Sequence, residues 1–419
     1  MLKVSKFGQK VAAVSGIGQL MDDLGSALAD GRHILMLGGG NPAHIPEVQK
    51  YFRRSMLELL EDKGQFERAI GNYDPPQGNK RFIEAVSTLL NNEFGWNIKS
   101  KNIVLTNGSQ SAFFILFNLF AGTFEGGAKK KILFPLAPEY IGYSDVGLVK
   151  NLFATNKPQI QHLDDHIFKY HIDFEQLKIT DEIGAVCVSR PTNPTGNVLT
   201  DSEIEKLNGL TCDNNIPLII DNAYGTPFPN IIFTDARPIW NENIILCMSL
   251  SKLGLPAART GIVIANEEII DMVSKVNAVM SLAPGGIGAA IAFNLVHNGE
   301  IIRLSRDIIK PFYQKKAAEV VEQLAEQLDE IDFHIHRPEG AFFLWLWLRD
   351  LPISDAELYL RLKKRGVLVV PGHYFFPGLK EKWRHRRECI RINYAQDKET
   401  VSKGLEIIAD EVKRAYKAT

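Results

Sequence analysis

The sequence predicts an α/β protein in which a large domain with a mostly parallel sheet is followed by a smaller α+β domain. Two observations carry this prediction: short apolar runs alternate with helical patterns in the middle of the chain, and the alternation changes after about residue 300. A chain of 419 residues is also too long for one ordinary hydrophobic core, and this length favours about two domains.

Six runs are the strand candidates of the large domain, and nearly all of their residues are apolar. Continuous apolar runs are typical of strands that are covered on both faces. The candidates are NIVLT (102–106), KILFPLA (131–137), GAVCVS (184–189), IPLIID (216–221), NIILCMS (243–249) and TGIVIA (260–265). Helical stretches such as 201–210 separate several of them. TGIVIA follows its predecessor too closely for a helical crossover, so we expect an antiparallel or distant strand there.

The last part of the chain has a different pattern. It begins with one long helical pattern at 300–328, which Pro311 interrupts. A further helix is predicted from about Ser354 to Arg365, and a final amphipathic helix ends the unit. The strand candidates of this unit are DFHIH (332–336), GAFFLWLWL (340–348), VLVVP (367–371) and ECIRINYA (388–395).

Composition and charge argue against several classes of partner. The net charge of -1 builds no basic field for nucleic acid or an anionic membrane. Even the longest apolar runs, such as 341–348, fall far short of the roughly 20 residues that span a bilayer. The first ten residues lack an apolar signal core. Two of the four cysteines, Cys187 and Cys247, lie inside apolar runs, which favours buried thiols over disulfides. We therefore expect a cytoplasmic protein with no nucleic-acid or membrane partner.

Polar residues follow the predicted strands, where ligands of open α/β sheets bind. After NIVLT, Gly108 leads into a helix that begins with Ser109 and Gln110, and a helix start offers free N–H groups to an anion such as phosphate. After KILFPLA come Tyr140 and Tyr143, either of which could stack on a planar ring.

The next strands end in groups of a different kind. After GAVCVS, Asn193 lies between two prolines and offers an amide. IPLIID ends in Asp221, a carboxylate that is costly to bury unless it meets a cation or donors, and Tyr224 adds a phenol nearby. NIILCM is followed by SLSK, which contains Lys252 in a turn of small and polar residues.

Pyridoxal 5'-phosphate is one small molecule that would use all of these groups. Its aldehyde forms a Schiff base with a lysine, and its phosphate, protonated pyridine nitrogen and O3' oxygen need an anion site, a carboxylate and donors. The sequence predicts Lys252 for the aldehyde, Asp221 for the pyridine nitrogen, Asn193 and Tyr224 for O3', Tyr140 for the ring, and Ser109, Gln110, Ser249 and Arg259 for the phosphate.

These residues resemble those of the fold-type I pyridoxal-phosphate aminotransferases of class I and II, through most of the chain. The resemblance includes GNP (40–42), YDPPQG (73–78), NGSQSA (107–112), PEYIGY (138–143), NPTG (193–196), DNAY (221–224), SLSK (249–252), RPEGAFF (337–343), GVLVVPG (366–372) and CIRINYA (389–395). It implies a seven-stranded sheet in the large domain. The implied boundaries are an N-terminal segment at 1–48 that joins the small domain, a large domain at 49–300 and a small domain at 301–419.

The resemblance also implies further site residues. Arg391 would bind the substrate α-carboxylate with two parallel hydrogen bonds. Gly40 would give a backbone N–H to the same carboxylate, and Asn193 would lie beside it. Tyr73 would reach the phosphate of the other subunit's cofactor, which implies a homodimer with shared active sites. The freed amine of Lys252 would transfer the α-proton.

Together with the lack of a second cation, the resemblance implies valine and pyruvate as the substrates. An acidic amino acid would need a second cation, and no second arginine stands in a recognisable site motif. The stretch at 277–288, NAVMSLAPGGIG, is apolar and small, and in relatives this region lies near the substrate. Other neutral amino acids stay open as substrates.

Other functions stay open or are disfavoured. A carbon–sulfur β-lyase of the same fold would share the first steps. A transcriptional regulator would need a DNA-binding extension, and only 39 residues, without a helix-turn-helix pattern, precede GNP. The glycine patterns at 15–21 and 285–291 both depart from the dinucleotide-binding fingerprint. The ten histidines form no ligand spacing, so no metal is expected.

Overall fold

The computed structural model describes residues 3–12, 18, 34–164 and 166–417. The N-terminal segment predicted at 1–48 therefore falls in part outside the described residues, as does the glycine pattern at 15–21. The α-helices are α1 Lys6–Val11, α2 Pro46–Glu61, α3 Lys63–Gly71, α4 Lys80–Phe94, α5 Ser109–Phe120, α6 Asp201–Asp213, α7 Glu267–Ser281, α8 Ile287–His297, α9 Glu300–Leu304, α10 Lys310–Gln327, α11 Asp355–Lys364 and α12 Lys398–Lys417.

The strands of the described residues are two to seven residues long. The strands are β1 Leu35–Met36, β2 Ile103–Thr106, β3 Gly122–Thr123, β4 Lys129–Phe134, β5 Phe153–Thr155, β6 Gln159–His162, β7 Ile167–His171, β8 Ile183–Ser189, β9 Leu218–Asp221, β10 Ile244–Ser249, β11 Gly261–Ile264, β12 Phe333–His336, β13 Phe343–Leu348, β14 Val367–Leu368, β15 Val370–Pro371 and β16 Cys389–Asn393.

The larger sheet has the order β2-β11-β10-β9-β8-β4, with β5 and the two-residue β3 both paired to β4. Without β3, this is the predicted seven-stranded sheet within the described residues. Six of these strands run parallel, and β11 is antiparallel to both of its neighbours, as the short link before TGIVIA indicated. The α/β fold class is confirmed. No strand is predicted from the sequence at β5, whose three residues are too few for a clear pattern.

The second sheet has the order β15-β16-β13-β12-β7-β6. Four of its strands come from the carboxy-terminal part of the chain. The hairpin of β6 and β7 comes from between two strands of the larger sheet, and β7 pairs in parallel with β12. The hairpin thus falls inside the range predicted for the large domain, whose boundaries stay a prediction. β1 pairs with β14, which ties the described end of the N-terminal segment to the smaller unit.

The long pattern at 300–328 forms one continuous run, because a π-helical turn at Ser305–Ile309 joins α9 to α10. Pro311 is the second residue of α10, which follows this π-helical turn directly, where the i→i−4 hydrogen-bond pattern of an α-helix is already interrupted. Ser354 caps α11 by accepting from the N–H of Glu357. Across the described ranges, no helix combines the length and the apolar character that a membrane crossing requires.

Candidate active site

A cavity at the carboxyl ends of the large sheet's strands, about 310 Å³ in volume, collects eleven of the twelve predicted site residues. They are Gly40, Ser109, Gln110, Tyr140, Asn193, Asp221, Tyr224, Ser249, Lys252, Arg259 and Arg391. Tyr73 is the exception, since it is 82% exposed and does not line the cavity.

Strand register brings the polar ends of the large sheet together. Ser189 at the end of β8 lies opposite Asp221 at the end of β9. On the other side, Ser249 at the end of β10 lies opposite Gly261, which lies opposite Thr106 at the end of β2. Cys247, two residues before the end of β10, lies opposite Asp221, so the cavity is built where four strands end within two residues of one another, as the rule for open α/β sheets predicts.

Both oxygens of the Asp221 carboxylate are held by donors. Tyr143 donates its hydroxyl proton to Oδ2 at 2.5 Å, and the N–H of Ala223 donates to Oδ1 at 3.0 Å. Burial raises the pKa of the Asp221 carboxyl above its ordinary value, and these two hydrogen bonds oppose the shift. A cation in the cavity would oppose it further, because an ionised carboxylate in a poorly solvated place is stabilised by an opposite charge.

Lys252 lies just beyond β10 and points across the cavity. Its Nζ donates to the carbonyl oxygen of Gly40 at 2.7 Å and lies 5.5 Å from the ring centre of Tyr224. Burial, followed by the positive charge of Arg391, lowers the pKa of the Lys252 amine to about 8. A substantial fraction of this amine is therefore neutral near pH 8, which a nucleophile or a base requires.

The start of α5 and Arg259 form the anion side of the cavity. N–H groups in the first turn of a helix have no acceptor within the helix, and here they belong to Ser109 and Gln110. Gly108, at φ 83°, precedes them, and a side chain there would collide with the guanidinium of Arg259. The glycine therefore lets the arginine approach the helix start, and a phosphate would meet both.

Arg391 lies in the middle of β16, between β13 and β15, and only 2% of it is exposed. Its guanidinium donates to Asn193 Oδ1 at 2.8 Å and to the carbonyl oxygens of Gly38 and Gly39 at 2.6 and 3.3 Å. The ring of Phe343 lies 4.2 Å below it. Burial lowers the pKa of this guanidinium to about 10, which still leaves it charged at neutral pH.

The cavity fits pyridoxal phosphate on several independent points. Within the described part of the chain, the hydroxyl of Tyr224 is buried without a hydrogen-bond partner, as is Nε of Arg391. Buried polar groups are rarely left unpaired, so both indicate a missing ligand. The phenol suits the O3' oxygen of the cofactor, and the guanidinium suits a substrate carboxylate. The half-buried ring of Tyr140 lines the same cavity and is available to stack on the pyridine.

Several lining residues were not singled out from the sequence. They are Asn41, Phe113, Ile141, Ser189, Pro191, Ala223, Ser251 and Pro256. The strand-end rule would have found Ser189, since it is the last residue of the run GAVCVS. For Gly40, the prediction concerned its N–H, and the structure shows in addition that its carbonyl oxygen accepts from Lys252.

The comparisons with known proteins identify the family of the chain. A family profile described as Aminotransferase class I and II matches residues 46–408. Over 412 residues the chain is 53% identical to the valine–pyruvate aminotransferase of Escherichia coli K12, with 98% of each chain covered. The solved structure of a valine–pyruvate aminotransferase from Salmonella typhimurium LT2 is 52% identical, with a TM-score of 0.89 over 96% of this chain and 100% of that chain.

Solved structures with lower sequence identity share the fold of the chain. A putative amino-acid aminotransferase from Psychrobacter arcticum 273-4 is 49% identical, with a TM-score of 0.97 over the whole of both chains. An aspartate aminotransferase mutant from Thermus thermophilus, at 20% identity and a TM-score of 0.77 over 98% of this chain and 100% of that chain, shows the shared fold alone. The chain is therefore a member of the class I and II aminotransferases, the family of enzymes that work with pyridoxal 5'-phosphate.

Proposed function

We propose that the chain is a valine–pyruvate aminotransferase, which converts L-valine and pyruvate into 3-methyl-2-oxobutanoate and L-alanine and runs the reverse reaction. The observation that carries this proposal is the 53% identity to a valine–pyruvate aminotransferase over 98% of both chains. The predicted site residues that line one cavity support it, because they include a lysine, a carboxylate and an arginine in reach of one small molecule.

Different residues of the cavity are proposed to bind different groups of the cofactor. When bound, pyridoxal phosphate supplies a protonated ring that stabilises negative charge at the substrate α-carbon. Asp221 holds the proton on the pyridine nitrogen, and Tyr140 covers the ring. Asn193 and Tyr224 donate to O3'. The phosphate would be held by Ser109, Gln110, Ser249 and Arg259, and two of these residues, Gln110 and Arg259, are exposed.

Lys252 carries the proton transfer. With the cofactor bound, its neutral Nζ would take the proton from the substrate α-carbon. The lowered pKa of the amine suits this role, since a base is most effective when its pKa lies near the working pH. The carbonyl oxygen of Gly40, at 2.7 Å, gives the released amine an acceptor beside the cavity.

Arg391 orients the substrate for this transfer. Its guanidinium offers a planar pair of donors, and Nε still lacks a partner within the described residues. Asn193 fixes the far side of the guanidinium at 2.8 Å, so the group cannot swing away from the cavity. The N–H of Gly40 is the further donor proposed for the same carboxylate.

The working unit is proposed to be a cytoplasmic homodimer. Tyr73 is 82% exposed. The next residue, Asp74, lies close to Gly286, since a Cβ on that glycine would lie 3.2 Å from Asp74 Oδ2. The N–H of Gly285 in turn donates to Asn107, which lies just before the start of α5 on the anion side of the cavity. Val279 and Leu282, which lie with Gly285 and Gly286 on the stretch 277–288, are large, apolar and exposed. A second copy would cover them and receive Tyr73 at its cofactor phosphate. Reduced, buried thiols at Cys187, Cys247 and Cys389 fit a reducing compartment.

Neutral aliphatic substrates fit the charges that line the cavity. Lys252, Arg259 and Arg391 are the cations among the described lining residues. The first is assigned to the cofactor aldehyde and the second to its phosphate, so one guanidinium remains for one carboxylate. Hydrophobic pockets discriminate poorly between aliphatic homologues, since one methylene is worth about 1–3 kcal/mol. Activity on 2-aminobutyrate, leucine and isoleucine is therefore expected beside valine.

A matrix of amino donors and oxo-acid acceptors tests the proposal. With pyruvate as acceptor, alanine formation should be fastest from valine and its aliphatic homologues. A clear preference for aspartate or glutamate would contradict it, because it would reveal a second cation for the distal carboxylate. Release of ammonia and pyruvate from a cysteine conjugate, at a rate that matches transamination, would favour the carbon–sulfur β-lyase instead.

A further inference from the structure

A chain of buried polar side chains lies directly behind Asp221 and has no part in the function as proposed so far. The hydroxyl of Tyr143 donates to Asp221 Oδ2 at 2.5 Å and lies 3.4 Å from Ser189 Oγ. Ser189 Oγ lies 2.6 Å from Glu139 Oε2, and the N–H of Ser189 donates to Glu139 Oε1 at 3.0 Å. Glu139 and Tyr143 are both completely buried.

The surroundings of Tyr143 need an aromatic ring but no hydroxyl. The ring packs against Phe113, Phe117 and Phe134, with centroids 4.8, 5.2 and 5.7 Å away. A phenylalanine would fill the same space. A buried hydroxyl is costly unless it is bonded, so its presence at the centre of an aromatic cluster indicates a task for the oxygen. Tyr143 also contacts Tyr140 edge to face, with ring centroids 5.2 Å apart. It therefore touches both Asp221 and the tyrosine that is proposed to stack on the cofactor ring.

The direction of the hydrogen bonds follows from counting protons. Tyr143 has one hydroxyl proton and gives it to Asp221, so towards Ser189 its oxygen can only accept. Burial raises the pKa of the Glu139 carboxyl to about 8, with a smaller contribution from the charge of Asp221. A neutral Glu139 can donate from Oε2 to Ser189 Oγ, which leaves the proton of Ser189 free to point at Tyr143. The hydroxyl and carboxyl protons along the chain then all point towards Asp221, while the N–H groups of Ser189 and Tyr140 donate to Glu139 Oε1 at 3.0 Å and Oε2 at 3.3 Å.

We propose that Tyr143 is a positioning residue that keeps the Asp221 carboxylate ionised and aimed into the cavity, and that Ser189 and Glu139 hold the Tyr143 hydroxyl in the orientation this requires. A donor to Oδ2 favours the charged form of the carboxylate, so the shared proton stays on the pyridine nitrogen and not on Asp221. The inference rests on the proposed role of Asp221 opposite that nitrogen.

The test compares Tyr143→Phe with the wild-type holoenzyme and with two reference variants. Tyr170→Phe is the matched control, because Tyr170 is an equally buried tyrosine whose hydroxyl contacts Trp345 in the second sheet and His385 in the short 3₁₀ helix at Arg384–Arg387. Asp221→Asn reports whether the acid acts as proposed. Each variant is measured for the dissociation constant of the cofactor, the pH titration of its visible absorption, and kcat and KM for valine.

Tyr143→Phe should lower kcat about 10- to 100-fold, since one hydrogen bond to a charged group is lost, with KM for valine nearly unchanged. Its absorption titration should shift in the direction seen for Asp221→Asn, and Tyr170→Phe should leave that titration at its wild-type position. If Asp221→Asn is impaired and Tyr143→Phe matches Tyr170→Phe, the inference is overturned and the proposed function stands. If Asp221→Asn itself is unimpaired, the proposed role of the acid fails first.

Glu139→Gln and Ser189→Ala resolve the rest of the chain. An amide can donate to Ser189 Oγ as the neutral acid does, but its NH2 group cannot accept from the N–H of Tyr140 at 3.3 Å, so Glu139→Gln should lie closer to the wild type than to Tyr143→Phe in titration and kcat. Ser189→Ala should lie between the wild type and Tyr143→Phe, because it removes only the longer contact of 3.4 Å. A Glu139→Gln variant as impaired as Tyr143→Phe would overturn the part assigned to Glu139.

Discussion

The cofactor side and the substrate side of the cavity are built in different ways. On the cofactor side, Asp221 and Ser249 are the last residues of β9 and β10, and Lys252 follows three residues later. On the substrate side, Arg391 is the third of the five residues of β16, with paired strands on both sides of it. One side uses the ends of strands, and the other uses a strand interior.

The difference concerns how each cation is held. Lys252 stands in a turn, and its long side chain donates to the carbonyl oxygen of Gly40, its one hydrogen-bond acceptor in the described part of the chain. Arg391 is fixed by Asn193, by the carbonyl oxygens of Gly38 and Gly39 and by the ring of Phe343. A group that forms and breaks a covalent bond needs freedom to move, whereas a group that orients a substrate gains from being fixed beforehand.

The largest expected effect is that of Lys252→Ala. The variant should bind the cofactor without covalent attachment and lose turnover by at least the factor of about 10²–10⁴ that a general base supplies. Borohydride treatment of the wild type should attach the cofactor to Lys252, as mass spectrometry of peptides would reveal. Lys398→Ala, at a side chain that is 82% exposed, is the control and should match the wild type. A covalent link to another lysine would refute the assignment.

The next effect in size is that of Arg391→Lys, which keeps the charge and removes the planar fork. We expect kcat/KM for valine to fall roughly 10- to 150-fold, which corresponds to one lost hydrogen bond to a charged group. Cofactor affinity should change little, since no proposed cofactor contact involves Arg391. Arg384→Lys, at an exposed side chain, is the control. Equal losses in cofactor affinity and in kcat/KM would contradict the assignment of Arg391 to the substrate alone.

A smaller effect is expected for Tyr73→Phe, which should weaken cofactor retention about tenfold without unfolding the protein. Mixing its subunits with Lys252→Ala subunits should give hybrids that regain one competent site, because each site takes Lys252 and Tyr73 from different subunits. Tyr416→Phe, whose hydroxyl donates to Arg349 far from the cavity, serves as the control. A monomer that keeps full activity on dilution would exclude the shared site.

The smallest effect is a shift in a pH profile. Only the neutral amine of Lys252 attacks the cofactor aldehyde, so the rate of attachment to the apoprotein should rise tenfold per pH unit below about pH 8 and level off above it. Arg391→Met removes a cation that lowers this pKa, so its inflection should move to higher pH. Arg391→Lys keeps the cation and should leave the inflection in place. The same inflection in both variants would show that the two sides are not coupled electrostatically.

The cofactor side could be predicted from the sequence because its residues follow recognisable apolar runs. Asp221 and Lys252 stand out as charged groups directly after buried strands. Arg391 carries no such signal, since it lies beside Arg384, Arg386 and Arg387 in a base-rich stretch. Its role came from resemblance alone, because burial in a strand interior depends on neighbours that are distant in sequence.

The two tyrosines of PEYIGY mark another limit of the sequence. From the sequence, either tyrosine could stack on the ring of the cofactor. The structure distinguishes them, because Tyr140 lines the cavity, whereas Tyr143 lies behind it and donates to Asp221. The difference arises from the short 3₁₀ helix at Ile141–Tyr143, which turns the second ring into the aromatic cluster. Nor does any local pattern reveal that β6 and β7 pair with strands far along the chain.

That hairpin has a consequence for the order in which the protein can fold. β7 is made early in synthesis, but its parallel partner β12 follows more than 150 residues later. Until β12 emerges, the edge of β7 presents unpaired N–H and C=O groups to other chains. A fragment that ends near residue 300 would keep all seven strands of the large sheet and leave this edge open. Such a fragment should aggregate, because the two sheets share one buried hydrophobic core and depend on each other to fold.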